Sequence, residues 1–227
     1  GADGAKLSKR HGATSLFDYH NLGYTSEAMF SYLLQLGWSA KNEKDYSMDR
    51  AIKLFTLENV NKSPAKFDLK KLKSINAKKL NSMNVNEVLN LVISRFNLSL
   101  NNEEEKRFKC LLPALLKRVQ VYTDLQDEFD WIFGKNFFCK DKNFQLQLKN
   151  NHLMLKEIGS LLNKCEWCIE NIKNCLNQYI LKNSLTFKDV GPILRIALTG
   201  KTNSPDLASI IYELGCTITV NRLNYKY

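Results

Sequence analysis

Apolar residues recur along most of the chain three and four positions apart, the period of one helical face, and no two-residue alternation persists long enough to demand a sheet. Thr25 or Ser26 can cap a helix whose inward set is Met29, Phe30, Leu33 and Leu34. It stops at Gly37, a residue suited to the left-handed position just past a helix end. Ser47 caps a second helix carrying Ile52 and Phe55. After the breaker Ser63-Pro64, Asp68 caps a third with Leu69, Leu72 and Ile75 inward. Asn84 and Glu87 open a fourth, with Val88, Leu91, Val92 and Phe96 on its core side.

A fifth helix begins near Asn102, where Glu103, Glu104 and Glu105 meet the positive end of the macrodipole, and runs through Phe108, Leu111 and Leu112. Pro113 is expected to kink or restart it. The face resumes at Leu115, Leu116, Val119 and Tyr122, and Thr123-x-x-Gln126 has the form of a capping box ahead of Leu125, Phe129 and Ile132. Residues 134 to about 143 are poorly patterned. Helical faces return at Leu155, Ile158, Leu161 and Leu162, then from Cys168 through Ile172, Leu176, Tyr179 and Ile180. Two more follow the box Thr186-x-x-Asp189 and the pair Ser204-Pro205, which reads as N-cap and first helical residue. The fold class expected is all-α, about eleven helices in two or three groups, with no fixed repeat. Residues 1–12, basic and punctuated by glycine, are expected to be a mobile loop.

At 227 residues the chain has a prior of one to two domains and can bury a real core. No apolar run nears the roughly 20 residues that span a bilayer. The net charge of +10 suits a polyanionic partner, nucleic acid first and an anionic membrane surface second. The six cysteines lack the spacing of a small disulfide framework, and reduced thiols in a cytoplasmic protein are expected. Cys165-Glu-Trp-Cys168 has metal-like spacing, but the nearby candidates for further ligands are Cys175 and His152 only, so helix-start packing is the favoured reading. Catalytic sets are thin: His11, His20 and His152 stand in no triad-like arrangement, and no Walker A or Gly-x-Gly-x-x-Gly sequence occurs.

One exception is Lys6-Leu7-Ser8-Lys9-Arg10, where two lysines three apart flank a hydroxyl and can close on a triphosphate. Extended to Lys6-Leu7-Ser8-Lys9-Arg10-His11-Gly12-Ala13-Thr14-Ser15, the stretch resembles the KMSKS loop of class I aminoacyl-tRNA synthetases in its bacterial glutamyl form. Residues 28–38, Ser63-Pro64-Ala65-Lys66-Phe67-Asp68-Leu69-Lys70-Lys71-Leu72 and Pro192-Ile193-Leu194-Arg195-Ile196-Ala197-Leu198-Thr199-Gly200 resemble glutamyl-tRNA synthetases in the same order. The resemblance is strong to about residue 76 and over 186–214, and loose between. Ser74 departs from it, standing where the family commonly has Trp, and the middle is unusually rich in Lys and Asn.

The resemblance implies a chain that starts inside the KMSKS loop, without the nucleotide-binding domain and its His-x-Gly-His-type signature. Residues 1–15 would be the loop remnant, 16–79 a helical stem-contact region, and 80–133 and 134–227 two helical anticodon-binding subdomains. It implies Lys9 as the transition-state lysine for ATP, with Mg2+, in a parent glutamate–tRNA ligase, and Lys6 and Ser8 as supports of the loop. The fragment alone would be inactive and monomeric, with tRNA-Glu as its partner.

Three surfaces suit RNA. Residues 61–79 hold seven lysines against Asp68 alone, and Lys70, Lys71 and Lys73 are the ones expected to track phosphates. Arg118 lies beside an apolar face, where its guanidinium can reach a base edge or make an interhelical salt bridge, and the resemblance places it at the reader of the first anticodon base. Arg195 sits among apolar neighbours and needs a polar or anionic partner, which an internal carboxylate can supply. The resemblance implies instead an anticodon contact, shared with Ser204, Pro205 and Leu207. The competing reading is a basic helical protein-interaction module that binds an acidic protein.

Overall fold

The computed structural model describes residues 1, 15–40, 46–134 and 137–226. The expected N-terminal loop, with Lys6, Ser8 and Lys9, lies outside them apart from Gly1. The described residues form thirteen α-helices, and their β structure is one isolated bridge between Trp38 and Val60, so the fold is all-α. The chain divides into two compact units, Gly1–Leu98 with Leu116–Leu125, and Ser99–Leu115 with Gln126–Tyr227.

The first unit contains α1 (Leu16–Asn21), α2 (Ser26–Gly37), α3 (Met48–Leu54), α4 (Leu69–Ser82) and α5 (Val85–Phe96). Thr25, Ser47, Asp68 and Asn84 cap α2 to α5, as expected from their side-chain acceptors. Ser15 and Asp18 form a capping box on α1, an element too short to show a periodic face. Met29 and Tyr32 of α2 pack with Leu72 of α4, Tyr24 and Val121 to make the unit's core. The Tyr32 hydroxyl accepts the Asp68 N–H at 2.5 Å, tying α2 to the start of α4. Trp38, Tyr46 and Ala51 form a second cluster with Phe30, Leu34 and Leu54.

The turn from α1 to α2 requires a glycine. Gly23 has φ +93°, and a Cβ there would stand 2.6 Å from Thr123 Oγ1 and 2.8 Å from Thr123 N. That closeness is used: the Thr123 hydroxyl donates to Leu22 O at 2.7 Å, and Tyr122 N–H donates to Gly23 O at 3.2 Å. Thr123 is therefore not the N-cap expected of it, because its hydroxyl serves a carbonyl distant in sequence. The segment is a 3-10 turn over Tyr122–Glu128 that leads into α7 (Phe129–Phe133).

The second unit holds most of α6 (Asn102–Leu116), then α7, α8 (Lys142–Asn150), α9 (His152–Leu162), α10 (Ile169–Lys182), α11 (Phe187–Thr199), α12 (Leu207–Leu214) and α13 (Cys216–Leu223). α9 packs on α13, α10 on α12, and α11 on α13 and α8. A Cβ on Gly159 would stand 3.5 Å from Leu223 Cβ, so α9 and α13 cross closely. Thr186 and Asp189 form the expected capping box on α11.

Pro113 does not restart the helix, and α6 continues through it. The carbonyl that a Pro113 N–H would have served belongs to exposed Lys109, which water can satisfy. Gly37 is the last residue of α2, and Trp38 leaves in extended conformation at φ −155° to pair with Val60, so no left-handed residue is used there. The helix after residue 204 is capped by Asp206, whose carboxylate accepts Ser209 N–H at 2.9 Å, rather than by Ser204. Its pattern is also two helices, divided at Gly215 with φ +80°.

Candidate nucleic-acid interface

In the first unit, α4 buries Leu72, Asn76 and Leu80 along one side. Lys70, Lys71 and Lys78 are exposed and Lys73 is half-buried, and none of Lys70, Lys71 or Lys73 forms an ion pair among the described residues. Only Asp68, used as the helix cap, sits beside them in sequence with opposite charge. The result is a run of solvated cations on a helix whose other side is anchored in the core.

Arg118 is exposed on the segment that follows α6, and that segment is strapped to α4. Asn81 Nδ2 donates to Leu116 O at 3.1 Å, and Asn76 Nδ2 donates to Gln120 O at 2.7 Å. The two tethers flank Arg118, and no salt bridge holds its guanidinium among the described residues. The interhelical ion pair considered for it is therefore not formed there. Sequence reasoning does not single out Asn76 and Asn81. The signal for Asn76 is a polar residue in the inward row with Leu72 and Leu80.

Arg195, on α11 in the second unit, is half-buried, and Nη1 lies 2.8 Å from Ser204 O, 2.5 Å from Ser204 Oγ and 2.5 Å from Pro205 O. Two carbonyls and a hydroxyl thus supply polar partners of the kind Arg195 needs. The structure brings Arg195, Ser204 and Pro205 together, and buried Leu207 opens α12 directly after them. The loop begins at Gly200, the left-handed C-cap of α11 at φ +70°, and Lys201 pairs with Glu128 at 2.7 Å. Ser204, Pro205 and Leu207 are buried, whereas Thr202 and Asn203 are exposed on this held loop, and the sequence pattern does not mark them.

Cys168 does start a helix: its sulfur accepts Asn171 N–H at 3.4 Å as the N-cap of α10. Among the described residues no group of three or more His, Cys, Asp or Glu side chains can hold a metal ion. No helix among them is long and apolar enough to cross a membrane.

The described residues form an all-α body with an exposed arginine and a row of exposed lysines, and comparison with known proteins gives its class. Residues 77–226 match the anticodon binding domain family, to which the chain belongs, and residues 1–74 match the family described as tRNA synthetases class I (E and Q), catalytic domain. The chain is 34% identical to glutamate–tRNA ligase 1 of Hyphomonas neptunium, over 99% of this chain and 47% of that protein. It is 32% identical to glutamate–tRNA ligase 2 of Rickettsia typhi, over 100% of this chain and 49% of that protein. It spans about half the length of these relatives. A crystal structure of a glutamate tRNA ligase from Elizabethkingia meningosepticum shares the fold, with TM-score 0.81 and 24% identity, over 97% of this chain and 48% of that one.

Proposed function

We propose that this chain is the tRNA-binding body of a glutamate–tRNA ligase, a monomeric cytoplasmic enzyme that attaches glutamate to tRNA-Glu using ATP with Mg2+. The anticodon-domain match and the glutamate–tRNA ligase relatives support this reading. The observation that carries it is Arg118, exposed between two asparagine tethers on the unit whose α4 carries Lys70, Lys71 and Lys73. In this reading residues 1–15 are the KMSKS loop remnant, 16–79 contact the stem, and 80–133 and 134–227 are the two anticodon-binding subdomains. Lys9, with Lys6 and Ser8, would serve ATP in the parent, and these three lie outside the described residues. Lys70, Lys71 and Lys73 position the RNA through phosphates, while Arg118 reads a base. Arg195 holds the loop of Ser204, Pro205 and Leu207 against the anticodon.

Replacing Lys70, Lys71 and Lys73 by Ala is expected to weaken cognate and unrelated tRNAs alike. The slope of log affinity against log salt should flatten by about one for each phosphate that the protein no longer neutralises. A filter-binding titration at several salt concentrations measures both, and an unchanged slope removes these lysines from the interface.

Arg118→Ala is expected to cost about 1–3 kcal/mol against cognate tRNA, much less against an anticodon mutant, and to leave the melting temperature unchanged. Arg195→Ala is expected to lower both the cognate preference and the melting temperature, since its hydrogen bonds hold the loop. Arg→Lys rescues neither well, because a point charge cannot replace the planar fork. If Arg118→Ala weakens both tRNAs equally, the base-reading role is wrong.

A further inference from the structure

Glu128 and Lys201 form a half-buried ion pair within the second unit, 73 positions apart in sequence and 2.7 Å apart in space. The two carboxylate oxygens of Glu128 have different tasks. Oε1 accepts from the Lys201 ammonium, and Oε2 accepts the Trp131 indole N–H at 2.6 Å. Trp131 is buried, so the carboxylate is fixed to the core on one side and grips the loop between α11 and α12 on the other. Lys201 is held through its backbone too, its N–H donating to the Thr199 hydroxyl at 3.3 Å.

The far end of the loop is fixed independently. Arg195 donates to Ser204 O and Pro205 O, and Asp206 caps α12. Between Lys201 and Ser204 stand Thr202 and Asn203, both exposed, and neither forms a hydrogen bond or ion pair among the described residues. Theirs are the polar side chains the loop leaves uncommitted, since the Ser204 hydroxyl already serves Arg195. A two-residue span clamped at both ends presents a hydroxyl and an amide in one arrangement, and an amide offers both donor and acceptor to the edge of an unpaired base. We infer that Glu128 is a positioning residue for anticodon discrimination: through Lys201 it fixes Thr202 and Asn203 where they meet unpaired bases. The inference rests on the tRNA-binding reading.

The brace acts by pre-organisation. Without it the loop has to be ordered when RNA binds, and ordering about one residue of backbone anew corresponds to roughly a tenfold loss of affinity. Base contacts made by Thr202 and Asn203 need that order, whereas phosphate contacts made elsewhere do not, so the loss falls on the cognate RNA. Charge alone predicts the opposite sign: taking the negative charge of Glu128 from a basic protein strengthens binding to any RNA.

The test measures binding of the full chain to tRNA-Glu and to the same tRNA with an altered anticodon, together with the melting temperature of each variant. Glu128→Gln, which keeps an acceptor for Trp131, is expected to weaken tRNA-Glu about tenfold and the altered tRNA little. Lys201→Met is expected to do the same without touching the Trp131 contact. The two combined lose no more than either alone, as partners in one interaction do. Lys201→Arg keeps the charge pair and retains most of the preference. If the parent chain distinguishes the two tRNAs but Glu128→Gln weakens neither, or strengthens both, the inference is overturned and the tRNA-binding reading stands. Equal weakening of both tRNAs by Lys201→Met overturns it as well, because Lys201 then serves a phosphate. A parent chain that binds both tRNAs equally overturns the reading itself, and the inference with it.

Discussion

Arg222→Ala is expected to cost about 3–5 kcal/mol of folding free energy, a large share of the roughly 5–15 kcal/mol that holds a typical domain together. Arg222, on α13, is 3% exposed. Its Nη1 donates to Leu198 O at 2.6 Å, and its Nη2 donates to Trp131 O at 2.7 Å and Gly134 O at 2.9 Å. Leu198 lies in the last turn of α11, and Trp131 and Gly134 lie at the end of α7. One guanidinium thus sits at the negative ends of two helices and satisfies carbonyls that their own helices cannot. It also stacks over Phe137, 4.7 Å from the ring centroid.

Removing that side chain leaves two buried acceptors and one half-buried acceptor without this donor, and a cavity where the guanidinium lay. Arg222→Lys is expected to recover less than half of the loss, because the three donors of an ammonium radiate from one nitrogen and cannot span carbonyls that the guanidinium reaches from two separate Nη atoms. Urea unfolding followed by tryptophan fluorescence measures both variants. A loss below about 1 kcal/mol for Arg222→Ala would show that α7, α11 and α13 are held by apolar packing alone.

What is legible in the sequence is local. Thr25, Ser47, Asp68 and Asn84 bond backbone N–H groups two or three residues ahead, so neighbouring residues suffice to find those helix starts. The apolar face of α10 is equally plain. Leu33 of α2 and Leu69 of α4, expected inward, are both 46% exposed, since α2 buries Ala28, Met29, Ser31 and Tyr32 and α4 buries Leu72, Asn76 and Leu80. The same vocabulary fails where a side chain answers a distant group. The Thr123 hydroxyl goes to Leu22 O, across 101 positions of sequence. Ser204 Oγ receives Arg195 instead of capping a helix. α8 escapes a periodicity reading because it buries Leu148 alone, too little for a periodic face. At the candidate interface the cationic residues are visible as types, but their support is not: nothing near Arg118 in sequence announces that Asn76 and Asn81 hold its segment.

Asn76 gives the second large effect, and it links the core of the first unit to the proposed interface. It is fully buried, and both ends of its amide are used. Oδ1 accepts Thr25 N–H at 2.8 Å and the Thr25 hydroxyl at 3.2 Å, while Nδ2 donates to Gly23 O at 3.3 Å and Gln120 O at 2.7 Å. Asn76→Ala strands these groups and is expected to cost about 2–4 kcal/mol. Asn76→Asp keeps the shape and both acceptor bonds, but it replaces the donor facing Gly23 O and Gln120 O with a carboxylate oxygen. At neutral pH it should therefore destabilise at least as much as Ala. Burial and the two facing carbonyls raise the folded-state pKa of the new carboxyl above its unfolded value. The folded Asp variant then binds more protons than the unfolded one in the acidic range between those two pKa values. Its deficit relative to the parent chain narrows as pH falls through the folded pKa, because the protonated carboxyl can again donate one bond. Melting curves of the parent, Ala and Asp chains across that range test this, with the Ala deficit expected to stay flat. An Asp deficit that is constant with pH, or that widens toward acid, would mean that water rather than Asn76 satisfies the two carbonyls and that the segment bearing Arg118 is not held by this amide.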